Sequence, residues 1–359
     1  MVILDGKFPL EDVDNIGARL TASGALVPGY EPAEVGLLNP AAIFYARKVD
    51  GMDFMLLPDR NLVSRMAAIA REGLRRPGKL PDPPDSIAVD LMAFAQAMDF
   101  DIEPSIAFHE LAHRNGNDAA MDELSWFRAA DHGQAQAWID LAQGRTDRLP
   151  IAKPAARVNH DLARPLDRWT RNYVVTLKIA ELELAPLSPL ERILSLYRWL
   201  VDELFLAGPA ASFATMYFSP NARRHRLIKQ LRSPERGRAI AGVRNAAWDI
   251  TYLSDFVLRV ARGVEEGRFY ILATADRNLA QIAAAMVLDA DYRDSRAEYA
   301  RRLVNWWPER EAAVIADALL SHVKKVEGRP PPAPRSPSAD PLGELVEAGE
   351  RRLLDWRPK

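Results

Sequence analysis

The alternation of apolar and polar positions divides the chain into many helical segments and a few short strands. "AIFYARKV-DG-MDFMLLPD" has two apolar-rich runs flanking Asp50-Gly51, and this pattern predicts a β-hairpin. The second run, continuous at "FMLL", fits a buried strand that stops at Pro58-Asp59. "NLVSRMAAIAREGLRR" then places Leu62, Met66 and Ile69 on one helical face. Further helices are predicted at "SIAVDLMAFAQAMDF", "SIAFHELAHRNG" (led by Pro104), "DAAMDELSWFRAAD" and "AQAWIDLAQGR". A proline-containing loop follows, then a helical block over about 168–206. Its second helix opens on "SPLE", with Ser188 as N-cap and Glu191 closing a capping box. "NAAWDITYLSDFVLRVARGVEE" reads as a helix and "RFYILATAD" as a strand ending at Asp276. More helices follow up to the proline-rich stretch "EGRPPPAPRSPSADP", and a short amphipathic helix comes last.

Composition narrows the chemistry. The chain has 359 residues, 48% of them hydrophobic, enough for a large core. It has no cysteine, which excludes a thiolate nucleophile, a cysteine zinc site and disulfides. The start "MVILDGKFPL" shows no signal-peptide pattern, and no apolar run reaches the ~20 residues of a membrane span. The expectation is a soluble, cytoplasmic protein without a membrane partner. Net charge is −2, so nucleic-acid binding rests on local clusters. The most basic stretch is 221–244, with Arg223, Arg224, Arg226, Lys229, Arg232, Arg236, Arg238 and Arg244 against a single Glu235. Such a run either neutralises phosphates or forms a solvated helix face. Trp126, Trp138, Trp248 and the Trp306-Trp307 pair can stack bases, but at helical spacing buried core is the better reading for most.

Two apolar strands end in an aspartate, "DFMLLPDRN" at Asp59 and "FYILATADRN" at Asp276, each followed by a helix. In an open α/β sheet, ligands lie beyond the carboxyl ends of the strands, so the two carboxylates can converge there. A divalent cation would then compensate their repulsion. Read singly, each aspartate is equally a helix cap.

These motifs resemble a PIN-like nuclease domain. "PDRNLVSRM" matches the Asp-x-Asn turn after the first strand with Asp59 and Asn61, and "IEPSIAFHELA" supplies a helical glutamate, Glu110. "RNAAWDITYL" supplies Asp249, with Asp255 as a rival, and "ILATADRNL" supplies the Thr-x-Asp of Thr274 and Asp276. The resemblance covers roughly 52–145 and 240–290. It implies an α/β fold: a PIN-like three-layer core with a mostly parallel sheet, plus a helical insertion and a helical C-terminal extension. The corresponding organisation is an N-terminal β-containing segment (1–50), a nuclease domain (51–326) with its insertion at about 146–240, a linker (327–341) and a C-terminal helix (342–359). It also implies metal-dependent cleavage of RNA. Asp59, Glu110, Asp249 and Asp276 would hold one or two Mg or Mn ions, with Asn61 and Thr274 orienting the first and last carboxylates.

Two other readings stay open. One is a non-catalytic PIN-like binding module that acts through a protein partner, for which the C-terminal tail is suited. The other is a zinc metallopeptidase built on the HELAH motif, with His109 and His113 one turn apart and Glu110 as base. A catalytic zinc site takes a third protein ligand, and the extended motif would put it at Ala119. Homo-oligomerisation is left open by the sequence.

Overall fold

The computed structural model describes residues 8–74, 83–204, 208–222, 228–290, 296–326 and 340–357. The fold is α/β and predominantly helical, with one small, open, mixed sheet of four strands among the described residues. The chain forms two compact units. The first comprises residues up to Arg164 together with Phe256–Ala284, and the second comprises Pro165–Asp255 and the residues from Ala285 onward.

The sheet belongs to the first unit. Its strands are β1 (Leu26–Pro28), β2 (Asp53–Pro58), β3 (Asp101–Ile102) and β4 (Arg268–Ala273), in spatial order β1-β4-β2-β3. β2 runs parallel to β4 and to β3, whereas β1 is antiparallel to β4. β2 is buried from Phe54 through Pro58, as its unbroken apolar run requires of a strand covered on both faces. Burial of each such side chain contributes about 1.5–3 kcal/mol. At the other end of the sheet, Tyr30 stacks on Phe269 (centroids 4.1 Å apart) and Phe54 on Phe100 (4.8 Å). Gly29, just past β1, allows a close approach that a side chain would block. A Cβ there would lie 2.2 Å from Val260 Cγ2.

Around this sheet stand α1 (Leu10–Ser23), α2 (Pro40–Lys48), α3 (Arg60–Glu72), α4 (Pro83–Met98), α5 (Ser105–Asn115), α6 (Asn117–Asp131) and α7 (Ala135–Ala142). α3 packs on α4 and α6, and α4 on α1 and α7. The expected hairpin is corrected here, because its first arm is helix α2. Asn39 caps that helix by accepting from the Ala42 amide (3.0 Å), and Pro40 occupies the first turn with its φ already helical. These start signals outweigh the turn at Asp50-Gly51. Ile43 is then the buried side, while Tyr45 and Val49 face solvent.

The second unit is helical: α8 (Asp167–Leu184), α9 (Pro189–Trp199), a π-helical turn (Leu200–Leu204), α10 (Gly208–Phe218), α13 (Arg296–Leu303), α14 (Glu309–Val326) and α15 (Pro341–Asp355). The long helix α11 (Arg236–Gly263) gives residues 236–255 to this unit and the rest to the first. α12 (Arg277–Ala290) begins in the first unit. The capping box of Ser188 and Glu191 is present at the start of α9. α15 lies on α8, where Gly349 sits 3.0 Å, from the position of an added Cβ, to Leu177. Trp138, Trp248 and Trp307 are core residues. Among the described residues no helix is long and apolar enough to cross a membrane. The proline-rich stretch lies, but for its last residues, outside the described residues.

Candidate carboxylate site at the sheet edge

β2 and β4 are neighbours in register, and their last residues, Pro58 and Ala273, face each other. The ladder continues one step further, with the Asp59 amide donating to the Ala273 carbonyl (2.9 Å). The chain beyond each strand therefore leaves the sheet at one shared carboxyl edge. Asp59 caps α3: its Oδ1 accepts from the Leu62 amide (2.9 Å). Asp276 caps α12 in the same way, accepting from the amides of Asn278 (2.8 Å) and Leu279 (3.3 Å).

Thr274 joins the two. Its hydroxyl donates to Asp59 Oδ2 (2.5 Å), and its oxygen accepts from the Asp276 amide (3.0 Å). Thr274 and Asp59 are 1% and 4% exposed, and Asp276 is half-buried. Burial pushes the Asp59 carboxyl above its ordinary range, and the nearby Asp276 charge adds to that rise. The Thr274 hydroxyl and the Leu62 and Asn61 amides act in the opposite direction. Asn61 thus touches Asp59 through its backbone, while its side chain is exposed.

The donor set is chemically suited to a hard divalent cation. Asp59 and Asp276 both offer oxygen, the Asp276 charge is near enough to act on Asp59, and each carboxylate keeps lone pairs beyond those given to amides and hydroxyl. Mg sites often use one or two carboxylates and complete their shell with water and substrate phosphate. Among the described residues, no group of three or more His, Asp or Glu side chains is arranged to hold a metal ion. Glu110 therefore does not complete a three-carboxylate group with Asp59 and Asp276. It lies 5% exposed on α5, and its Oε1 is 3.4 Å from the Arg114 guanidinium one turn later. Asp249 is a half-buried residue of α11 in the second unit. Its rival Asp255 is engaged by the Arg168 guanidinium at 2.5 Å.

The HELAH histidines hold a loop. His109 Nδ1 is 2.8 Å from the Leu162 carbonyl, and His113 bonds the Arg164 backbone. Burial lowers the His113 pKa, the Arg164 bond opposes that, and the neighbouring His109 adds to the lowering. Asn117 secures the same loop, accepting from the Leu162 amide (2.8 Å) and donating to the His160 carbonyl (3.1 Å).

The basic stretch disperses. Arg223, Arg224 and Arg226 lie outside the described residues. Arg236 corrects the surface reading. It is 7% exposed and donates to the carbonyls of Leu231, Ser233 and Leu353, with its guanidinium stacked 4.8 Å from the Trp356 ring. A cation placed there ties the turn before α11 to the end of α15 and is too buried to serve a phosphate. Arg232, Arg238 and Arg244 are exposed but pair with Glu183, Glu235 and Glu350, and Lys229 is exposed.

The tetrapeptide Asp-Arg-Asn-Leu occurs at both 59–62 and 276–279, once after each strand of the parallel pair. Comparison of the chain with protein-family models, with curated proteins and with solved structures found no match.

Proposed function

We propose that this protein is a metal-dependent nuclease whose centre is the Asp59–Asp276 pair, with RNA as its substrate. The observation that supports it is that two aspartates follow adjacent parallel strands at their shared carboxyl edge, with the Thr274 hydroxyl donating to the Asp59 carboxylate and accepting from the Asp276 backbone amide. Asp59 and Asp276 would hold Mg or Mn. Such an ion, when bound, supplies Lewis-acid polarisation of a phosphodiester and a more acidic water. Thr274 fixes the Asp59 carboxylate by donating to Oδ2, and the two helix caps hold the backbone on either side. RNA in preference to DNA, and a part for Asp249, follow from the PIN-like resemblance alone.

The test is Mn²⁺-dependent cleavage of end-labelled RNA by the wild type and by the Asp59→Asn and Asp276→Asn variants. Each substitution is expected to abolish cleavage, because each removes a charged ligand at near-constant volume. Cleavage that persists in both variants refutes the assignment. A second reading, the non-catalytic binding module, is favoured by one feature: both Asp59 oxygens already accept hydrogen bonds, as a purely structural cap would. It predicts a wild type that binds RNA or a protein partner and cleaves nothing, with Asp59→Asn binding equally well.

A further inference from the structure

The two Asp-Arg-Asn-Leu segments are alike in sequence and in their place after a strand, yet their arginines differ. Arg60 is largely buried and locked by a bidentate pair with Glu123 of α6 (2.5 and 2.8 Å). Arg277 is exposed, and among the described residues it makes no ion pair and no side-chain hydrogen bond. It adjoins Asp276 in sequence, but its side chain, with Thr274 and Ala275, lines a cavity of 1140 Å³. The other arginines of that wall are already compensated. Arg19 is paired with the buried Asp90 (2.6 and 2.9 Å), and Arg145 with Asp12 and Asp140. Arg277 is therefore the cation of this recess whose charge is left for a ligand.

We propose that Arg277 binds a backbone phosphate of single-stranded RNA, with the cavity taking the adjoining nucleotide beside the Asp59–Asp276 edge. This rests on the nuclease reading and names how the strand is held there. Arginine offers a planar fork of donors that matches two phosphate oxygens. The cavity exceeds the roughly 300 Å³ at which small-molecule pockets begin, so a nucleotide has room. A duplex keeps its bases stacked inside a stiff rod, whereas a single strand can bend a nucleotide into a recess. Arg60, in the equivalent position, is part of the scaffold and takes no share in binding.

Fluorescence anisotropy of a labelled single-stranded oligoribonucleotide, measured in EDTA so that nothing is cleaved, tests this on the full chain. Arg277→Gln is expected to weaken binding about tenfold, as loss of a charge-assisted contact does. It should also reduce the slope of log K against log salt by about 0.7, the share of one phosphate on a single strand. Arg277→Lys is expected to restore the slope and only part of the affinity. Unchanged affinity and slope in Arg277→Gln overturn the proposal, as does a wild type that binds no RNA. A wild type that binds through Arg277 but does not cleave with Mn²⁺ supports this inference and refutes the nuclease reading, so the two failures are told apart.

Discussion

The hydroxyl of Thr274 touches both halves of the carboxylate edge, and its removal has a calculable effect. Thr274→Val keeps the volume, to within a hydroxyl-for-methyl exchange, at a position 1% exposed. What is lost is a hydrogen bond to the buried Asp59 carboxyl and the acceptor for the Asp276 amide. A hydrogen bond to a charged group contributes about 1.5–3 kcal/mol, which corresponds to roughly 10- to 150-fold in an opening equilibrium. Hydrogen–deuterium exchange of the amides of β2 and β4 reads that opening directly. Protection at 53–58 and 268–273 is expected to fall by this factor at pH values above the folded-state pKa of Asp59.

The pH dependence supplies a second constraint. Burial raises the folded-state pKa of Asp59 above its unfolded value of about 3.9. The stability linked to Asp59 is therefore complete below that value and is lost as pH rises through the folded pKa. Thr274 lowers that folded pKa, so Thr274→Val raises it further and widens the interval over which stability is lost. Once Asp59 is protonated, the missing bond is one between neutral groups, about 0.5–1.5 kcal/mol. The gap between wild type and Thr274→Val should thus narrow toward acid pH. Thr274→Ser keeps the hydroxyl and loses a methyl, so it should stay closer to wild type than Val does. Equal protection in wild type and Val, or a Ser variant worse than Val, refutes the hydrogen-bond argument and leaves packing as the cause.

Other expectations follow from single contacts. Asp59→Asn retains an oxygen for the Leu62 amide and removes a buried charge, so its melting temperature at pH 7 should equal or exceed the wild type; Asp59→Ala loses the cap and should be destabilised by about 0.5–2 kcal/mol in the same thermal scan. Gly29→Ala forces a methyl against Val260 and should cost about 1–3 kcal/mol in urea denaturation. Arg236→Met leaves the carbonyls of Leu231, Ser233 and Leu353 without their donor, and limited proteolysis should release α15 markedly faster. Asn117→Ala removes two bonds to the loop at 160–162 and should expose that loop to protease while leaving α5 intact.

What the sequence disclosed depended on how local the cause was. The capping box at Ser188, the buried run of β2 and the aspartates that end β2 and β4 are written in consecutive residues, and they are found where the pattern predicts them. β1 and β3 were not legible, because strands of three and two residues owe their existence to the partners β4 and β2 rather than to their own period. The hairpin does not form because Asn39-Pro40, a helix start, outweighs the turn signal of Asp50-Gly51. HELAH shows a different limit. A histidine pair on one helical face looks the same whether it serves zinc or carbonyls, and the carbonyls of Leu162 and Arg164 stand some fifty positions away. Arg236 is similar, since a basic run does not reveal which of its members is drawn inward by chain-end carbonyls.

The identity of residue 59 argues for more than capping. Asparagine is as good an N-cap as aspartate, and its amide would avoid the desolvation that raises the Asp59 pKa. A carboxyl at 4% exposure, near enough to Asp276 to feel its charge, is therefore the costlier choice for a cap. Thr274 offsets part of that cost, and it does so by favouring the charged form over the neutral one. The Thr274 hydroxyl works against the effect of burial, at the sheet edge where ligands of α/β folds bind. If Asp59→Asn were both less stable and equally active, the charge would be serving the fold alone.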